Sequence, residues 1–245
     1  MKTISTQEMN NRLVPPAVLK LGLIAVMAAL VVGIGLFAYI WLSGGSGSAS
    51  APVSAPSLIV GGSTKLFRIQ PTESEVRFII NETLVGQPKT VIGSTREVAG
   101  DLAIDFNAPQ QAMIGQIRIN VRTLTTDNEF RNRALRGQIL GATQPEFEFA
   151  SFTPKQLMGL PEKITFGQAF AFQIIGDLTL RGATHEVTFD ASVTPISQTL
   201  IKGSAKAEVH YTDFGMSIPE APGVANVSQT VQLEIDLTAA QVEAS

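Results

Sequence analysis

The side chains that could move a proton or hold a metal are few and scattered. Only two histidines occur in 245 residues. His185 lies in the turn-like Arg181-Gly182-Ala183-Thr184-His185 beside Glu186, and His210 shares one face of an alternating run with Lys206 and Glu208. A histidine base needs a reacting group within hydrogen-bond reach and a partner that orients the ring. Neither position offers both, so the two read as solvated surface residues. A metal held by this pair with Glu186 or Asp213 would lack the His-x-His or His-Glu-x-x-His spacing that pre-forms a site. The absence of cysteine excludes disulfides, thiolate metal centres, cysteine nucleophiles and cysteine-linked lipids. Neither a Gly-x-Ser-x-Gly elbow, a phosphate loop nor a strand-linked dinucleotide fingerprint occurs. Glu146 and Glu148 alternate with Phe147 and Phe149, which reads as the charged, wet face of a strand. No catalytic constellation and no metal site emerge, and the chain reads as a non-enzyme. The formal charge is −3, from 18 basic and 21 acidic residues, without a basic run, which argues against a nucleic-acid partner.

The elements that would position any site begin with residues 21–42, LGLIAVMAALVVGIGLFAYIWL. This run carries no charge and exceeds the roughly 20 residues needed to cross a bilayer. Lys2, Arg12 and Lys20 precede it against Glu8, and no charge follows before Lys65. That bias places residues 1–20 in the cytoplasm and the rest outside, anchored in the cell membrane by a single-pass signal-anchor helix. Tyr39 and Trp41 suit the interfacial belt. A cleaved secretory signal is the alternative, with Ala49-Ser50-Ala51 supplying small residues. Residues 43–64, rich in Gly, Ser, Ala and Pro and uncharged, read as a flexible tether with a free span of ~25 Å.

From residue 65 to 240 the pattern is alternation. Val76, Phe78 and Ile80 oppose Arg77 and Asn81; Leu102, Ile104 and Phe106 oppose Asp101, Ala103 and Asp105; Ile117, Ile119 and Val121 oppose Gln116, Arg118, Asn120 and Arg122. Phe170, Phe172 and Ile174 follow, then Leu178 and Leu180, with Val187 and Phe189 after the turn. Ala205 to Tyr211 and Val231 to Leu237 complete the series, leaving residues 241–245 as a tail. About eight one-sided strands with short Gly or Pro turns predict an all-β fold, an antiparallel barrel or sandwich, with an eight-stranded barrel favoured because strands of one polarity pattern can close on a single interior. Thr126-Asp127-Asn128-Glu129 has the form of a capping box and opens a short helical excursion carrying Phe130, Ala134 and Leu135, with a further turn over Gln138 to Gly141. This excursion either plugs one end of the barrel or forms its mouth. Glu82 to Ala99 reads as an extended hairpin or a loop over that mouth.

Twelve of 13 phenylalanines lie outside the apolar N-terminal run, most of them on the alternating faces, beside few polar groups. Such an interior is either a solid core or a pocket for a long apolar molecule, since each buried methylene contributes ~0.8 kcal/mol without any hydrogen bond. The two readings imply different functions: a binding protein, or a structural or protein-interaction module with a solid barrel.

Several pieces in order, FRIQPTESEVRF, VAGDLAIDF, INVRTLTTDNEFRNRAL, QPEFEF, GDLTLRGATHEVTF and TDFGM, resemble the YceI-like family of extracytoplasmic, lipocalin-like proteins. The resemblance spans essentially residues 65–240, and GDLTLRGATHEV and LTTDNEFRNRAL are its most specific parts. It implies a lipocalin-like barrel with helices at one side and a long apolar cavity for a polyisoprenoid chain, such as that of a quinone or a related amphiphile. On that reading the protein needs no cofactor beyond a possible bound isoprenoid lipid, and the cavity is lined by Phe78, Ile80, Ile104, Phe106, Ile117, Ile119, Val121, Phe130, Leu135, Phe147, Phe149, Phe170, Phe172, Ile174, Leu178, Leu180 and Phe189. The sequence departs from the family where Gln70 to Ser74 replaces an Asp-x-x-His-Ser pattern and Asn132-Arg133-Ala134 replaces Asp-x-His. Both departures point to a different head group. In GDLTLRGATHEV, Gly176 and Gly182 are expected to allow tight backbone, and Asp177, Thr179 or Thr184 to bond turn amides.

Overall fold

The computed structural model describes residues 16–243; most of the segment 1–20 and the end of the tail lie outside the described residues. The chain divides into two compact units, one ending at Tyr39 and one beginning at Ile40. The first holds most of a single helix, α1 (Pro16–Ser43). Proline at its first position is pre-shaped for a helix start, and apolar residues on every side give it no preferred buried face. Its stretch Lys20–Ser43 is long and apolar enough to cross a membrane.

The second unit is one curled antiparallel sheet of thirteen strands rather than eight. In chain order these are β1 (Lys65–Ile69), β2 (Glu75–Leu84), β3 (Gln87–Thr95), β4 (Val98–Ala99), β5 (Asp101–Ile104), β6 (Met113–Ile114), β7 (Ile117–Asn120), β8 (Phe149–Met158), β9 (Phe170–Leu180), β10 (Ala183–Pro195), β11 (Leu200–His210), β12 (Val224–Ala225) and β13 (Thr230–Val242). Of the five extra strands, β4, β6 and β12 are two-residue pieces, where alternation carries no signal; the other two are β1 and β3, the latter pairing with β2 as the extended hairpin over Glu82 to Ala99. β13 runs on past residue 240 and pairs Gln241 with Phe67. Neighbours run β4, β7, β8, β9, β10, β11, β13, β1, β5, β6, and β13 also pairs with β2, which carries β3 and β12. The ring of ladders is not closed: β3 pairs only with β2. On its far side stands the helical excursion, joined to it through the Ser94–Thr125 bridge and a Lys89–Asp127 ion pair of 2.8 Å.

That excursion is α2 (Glu129–Ala134) followed by a π-helical turn over Leu135–Ile139. Its N-cap is Asn128, whose side chain accepts from the Arg131 amide at 3.0 Å, and not Thr126. Thr126 instead donates to the Asn132 side chain at 2.8 Å. An Asn at the cap satisfies one of the four unpaired amides of the first turn, as the expected capping box would have done.

The hairpin of β9 and β10 turns through Arg181 and Gly182, both at positive φ (48° and 79°). This is the two-residue geometry whose twist matches the strands. Gly176 is required for a different reason than the turn: a Cβ there would stand 2.5 Å from the Thr153 carbonyl and 2.8 Å from the Phe152 ring. Thr179 and Thr184 bond each other across the hairpin at 2.8 Å instead of bonding turn amides, and Asp177 pairs with Lys155 at 2.6 Å.

Residues 44–63, most of the stretch read as a flexible tether, contain neither helix nor strand and lie against the barrel's outer face. Arg136 donates to the Gly44 carbonyl at 2.9 Å. Glu148 accepts from the Ser50 amide at 2.9 Å and the Ser50 hydroxyl at 2.5 Å. Arg118 reaches the Ser54 carbonyl and Arg68 the Ser57 hydroxyl, while the Leu58 amide donates to Asp101. This strap explains three departures from simple alternation. Asp101, Asn120 and Glu148 occupy outward positions yet are 3%, 0% and 1% exposed. Glu148, moreover, follows a 3-10 turn at Pro145–Phe147, so the strand-like reading of 146–149 holds only from Phe149. The buried carboxylate is compensated by Arg122 at 3.0 Å and the Asn120 amide at 2.8 Å, as a buried charge requires. Burial alone would raise its pKa, but the hydrogen bonds from Ser50 and Asn120 and the charge of Arg122 outweigh it and hold the carboxyl below the usual range.

Candidate functional site: an apolar cavity

The inward faces of the strands enclose a cavity of about 280 Å³. β2 supplies Val76, Phe78 and Ile80, β7 supplies Ile117 and Ile119, and β9 supplies Ile174, Leu178 and Leu180. Phe189 of β10, Ala205 and Val209 of β11, and Val231, Leu233, Ile235 and Leu237 of β13 continue the wall. Period-two alternation is what places these residues together, since every second side chain of a strand faces the same side. The Phe78 ring lies where a Cβ of Gly93 would come within 2.1 Å, so the glycine of β3 makes room for it. The excursion forms wall rather than a separate plug: Leu135, Ile139 and Leu140 border the cavity.

Of the expected lining residues, Phe78, Ile80, Ile117, Ile119, Val121, Leu135, Ile174, Leu178, Leu180 and Phe189 border the cavity. The others lie elsewhere. Phe106 packs edge-to-face on Phe67 and Phe166, with centroids 6.0 and 5.1 Å apart. Phe170 tilts against Phe172 at 5.9 Å, and Phe172 and Ile104 are buried in the core. Strand register puts these residues at one end: Lys65 pairs with Ile104, and Phe170 with Val193, far from the β9–β10 turn. Aromatic pairs of this geometry fill space well, so these residues pack on one another away from the cavity. Phe149 is outward, with the Arg118 guanidinium 4.3 Å over its ring. Phe147 packs beside Gly141 and Gly182 at the turns. Phe130 is half-buried on α2, outside the wall.

Four charged residues border the cavity, and each is paired. Arg131 lies 2.9 Å from Glu82, and Arg77 lies 3.0 Å from Glu234. Tyr211 is the one uncharged polar side chain in the wall among the described residues. Glu82 was missed as an interior group although its signal was present: it continues the even-numbered phase of Val76, Phe78 and Ile80. Arg131, by contrast, depends on the pose of α2. Asp127 extends the network, 2.5 Å from Arg131 and 2.8 Å from Lys89. The Lys89 hydrogen bond, against a small burial penalty, and the charge of Arg131 hold its carboxyl below the usual range. His185 and His210 are exposed, the first edge-to-face on Phe214 at 5.1 Å. Among the described residues no cluster of His, Asp and Glu is placed to hold a metal.

The comparisons agree with this architecture. The YceI-like domain matches residues 67–239. No curated protein matches the chain. Among solved structures, a polyisoprenoid-binding domain from Saccharophagus degradans is similar at 15% identity and a TM-score of 0.56, over 72% of this chain and 98% of that one. Burkholderia cenocepacia BcnA is similar at 16% identity and a TM-score of 0.53, over 69% and 98%. A mutant Campylobacter jejuni YceI protein follows at 16% and 0.50, over 62% and 84%. At such identities the structural likeness speaks for the fold, while the domain match covers most of the chain. With the domain match covering residues 67–239 and the curled antiparallel sheet in place, the chain belongs to the YceI-like domain family.

Proposed function

We propose that the protein is a membrane-tethered, extracytoplasmic carrier that holds an isoprenoid, a quinone or polyprenol, or another long-chain apolar lipid in its barrel and performs no catalysis. The observation that carries this reading is the cavity itself: about 280 Å³ inside a sheet, walled by Phe, Leu, Ile and Val with its few charges paired. A wall of this kind gives no purchase to a polar metabolite and gains from each methylene it covers. The polyisoprenoid-binding relative from Saccharophagus degradans supports the same ligand class. The apolar stretch Lys20–Ser43 supports attachment to a single bilayer, and the basic residues before it support a cytoplasmic N-terminus. A carrier beside the bilayer meets its ligand where that ligand is concentrated, and storage, shielding or transfer would each use this arrangement.

Native mass spectrometry of the full chain, taken from its own membrane in a non-ionic detergent, tests the reading. A stoichiometric apolar adduct that organic extraction removes is the expected result. An apo mass that does not change after incubation with quinones and polyprenols would overturn it.

A further inference from the structure

We propose that the cavity rim selects an apolar chain ending in an uncharged head group and rejects one ending in phosphate or carboxylate. The proposal rests on the lipid-carrier reading above and assigns its ligand class more narrowly. Every charged residue in the wall is paired: Arg131 with Glu82, and Arg77 with Glu234, a pair that continues outside the wall to Glu75, Asp236 and Lys206. At the rim the second Arg131 nitrogen is taken by Asp127 at 2.5 Å, and the other Asp127 oxygen by Lys89 at 2.8 Å. Two cations and two carboxylates close on one another there, with no charge left over. The Glu82 side chain is 8% exposed and that of Arg131 22% exposed.

A guanidinium is the natural fork for an oxyanion. To use it here, a phosphate would have to displace Glu82 or Asp127 and leave a carboxylate unpaired beside a second anion. For Glu82 that carboxylate is buried, the costly case. A hydroxyl or carbonyl requires no such exchange, because a paired carboxylate still has lone pairs to accept with and Tyr211 offers a hydroxyl on the same wall. Arg181, the cation of the neighbouring β9–β10 turn, does not fill the gap. It donates to the Ile139 carbonyl at 3.1 Å and does not border the cavity.

The test is a competition on the full chain in non-ionic detergent between geranylgeraniol and geranylgeranyl monophosphate at equal concentration, read by native mass spectrometry, for wild type and Asp127→Asn. The Asp127 side chain is 55% exposed, so the substitution leaves the core untouched while freeing Lys89 and half of Arg131. We expect the alcohol to be preferred by at least ~10-fold in wild type, and the ratio to move towards the phosphate by roughly 10-fold in the variant, each equivalent to one charged hydrogen bond. Equal or preferred binding of the phosphate by wild type would overturn the proposal, as would a ratio that Asp127→Asn leaves unmoved. If neither probe binds, the lipid-carrier reading itself fails and the selectivity with it.

Discussion

Replacing Glu148 by Gln keeps the shape of the side chain and removes its charge. Glu148 is 1% exposed and receives four hydrogen bonds or ion-pair contacts, from the Ser50 amide and hydroxyl, Asn120 and Arg122. A glutamine has one oxygen to accept with and turns an NH2 group towards donors it cannot satisfy. Arg122 keeps the Ala142 carbonyl at 2.6 Å but loses its counter-ion. Breaking one partner of a buried pair costs about 3–5 kcal/mol, and the retained acceptor places this change near the lower figure. For a domain of this size each kcal/mol moves the midpoint by about 2–4 °C, so about 3 kcal/mol corresponds to a fall of about 6–12 °C. Thermal unfolding of the full chain in detergent, followed by far-ultraviolet circular dichroism, reads the change directly. Glu146→Gln is the control, because Glu146 is exposed on the adjacent turn. Equal midpoints for the two variants would refute the claim that the strap and Glu148 form one buried network.

Three further outcomes are expected. Ala205→Phe puts a ring into the void from β11, where Ala205 is 6% exposed; the apolar adduct should disappear while the midpoint stays within a few degrees, and full lipid loading of the variant would refute the assignment of the cavity. Val85→Asn should raise the midpoint by about 2–4 °C, because Val85 is 79% exposed and sits at φ 50° beside Gly86 at φ 78°, where a β-branched residue is strained by ~1 kcal/mol and Asn-Gly is preferred. Glu129, Glu148, Asp127 and Glu234 all have lowered pKa values in the fold, so their stabilisation is present at neutral pH and lost as pH falls through those lowered values. The midpoint should therefore drop on acidification below the ordinary carboxylate range, and an unchanged midpoint there would show that these pairs do not stabilise the fold.

The fold was legible where its cause is local. Alternation over β2, β9 and β13 is written in consecutive residues, and the wall residues Phe78, Ile80 and Leu178 follow from it without knowledge of any partner. What was not legible depends on distant contacts. Phe106 and Phe78 sit in equivalent patterns, yet one packs on Phe67 and Phe166 away from the cavity while the other faces it. Asp101, Asn120 and Glu148 stand at positions the sequence marks as polar and outward, yet end up buried where a stretch of Gly, Ser and Ala lies against the barrel mainly through backbone groups. Such contacts leave little trace in composition. Glu82 is the instructive case between the two, its inward phase plain in the sequence but its partner Arg131 set by the pose of α2.

The strap changes what a protease would accomplish. Ile59 is 92% exposed, and Val60-Gly61-Gly62 separates it from Ser63, which returns to the barrel through Asp105. Small, exposed residues of this sort are where chains are nicked. Upstream of that point the strap is already fastened at Gly44, Ser50 and Ser57. A cut at Ile59–Gly62 therefore leaves a fragment joined covalently to the N-terminal helix and by hydrogen bonds to the barrel, so that the severed protein travels as one particle until a denaturant separates its halves.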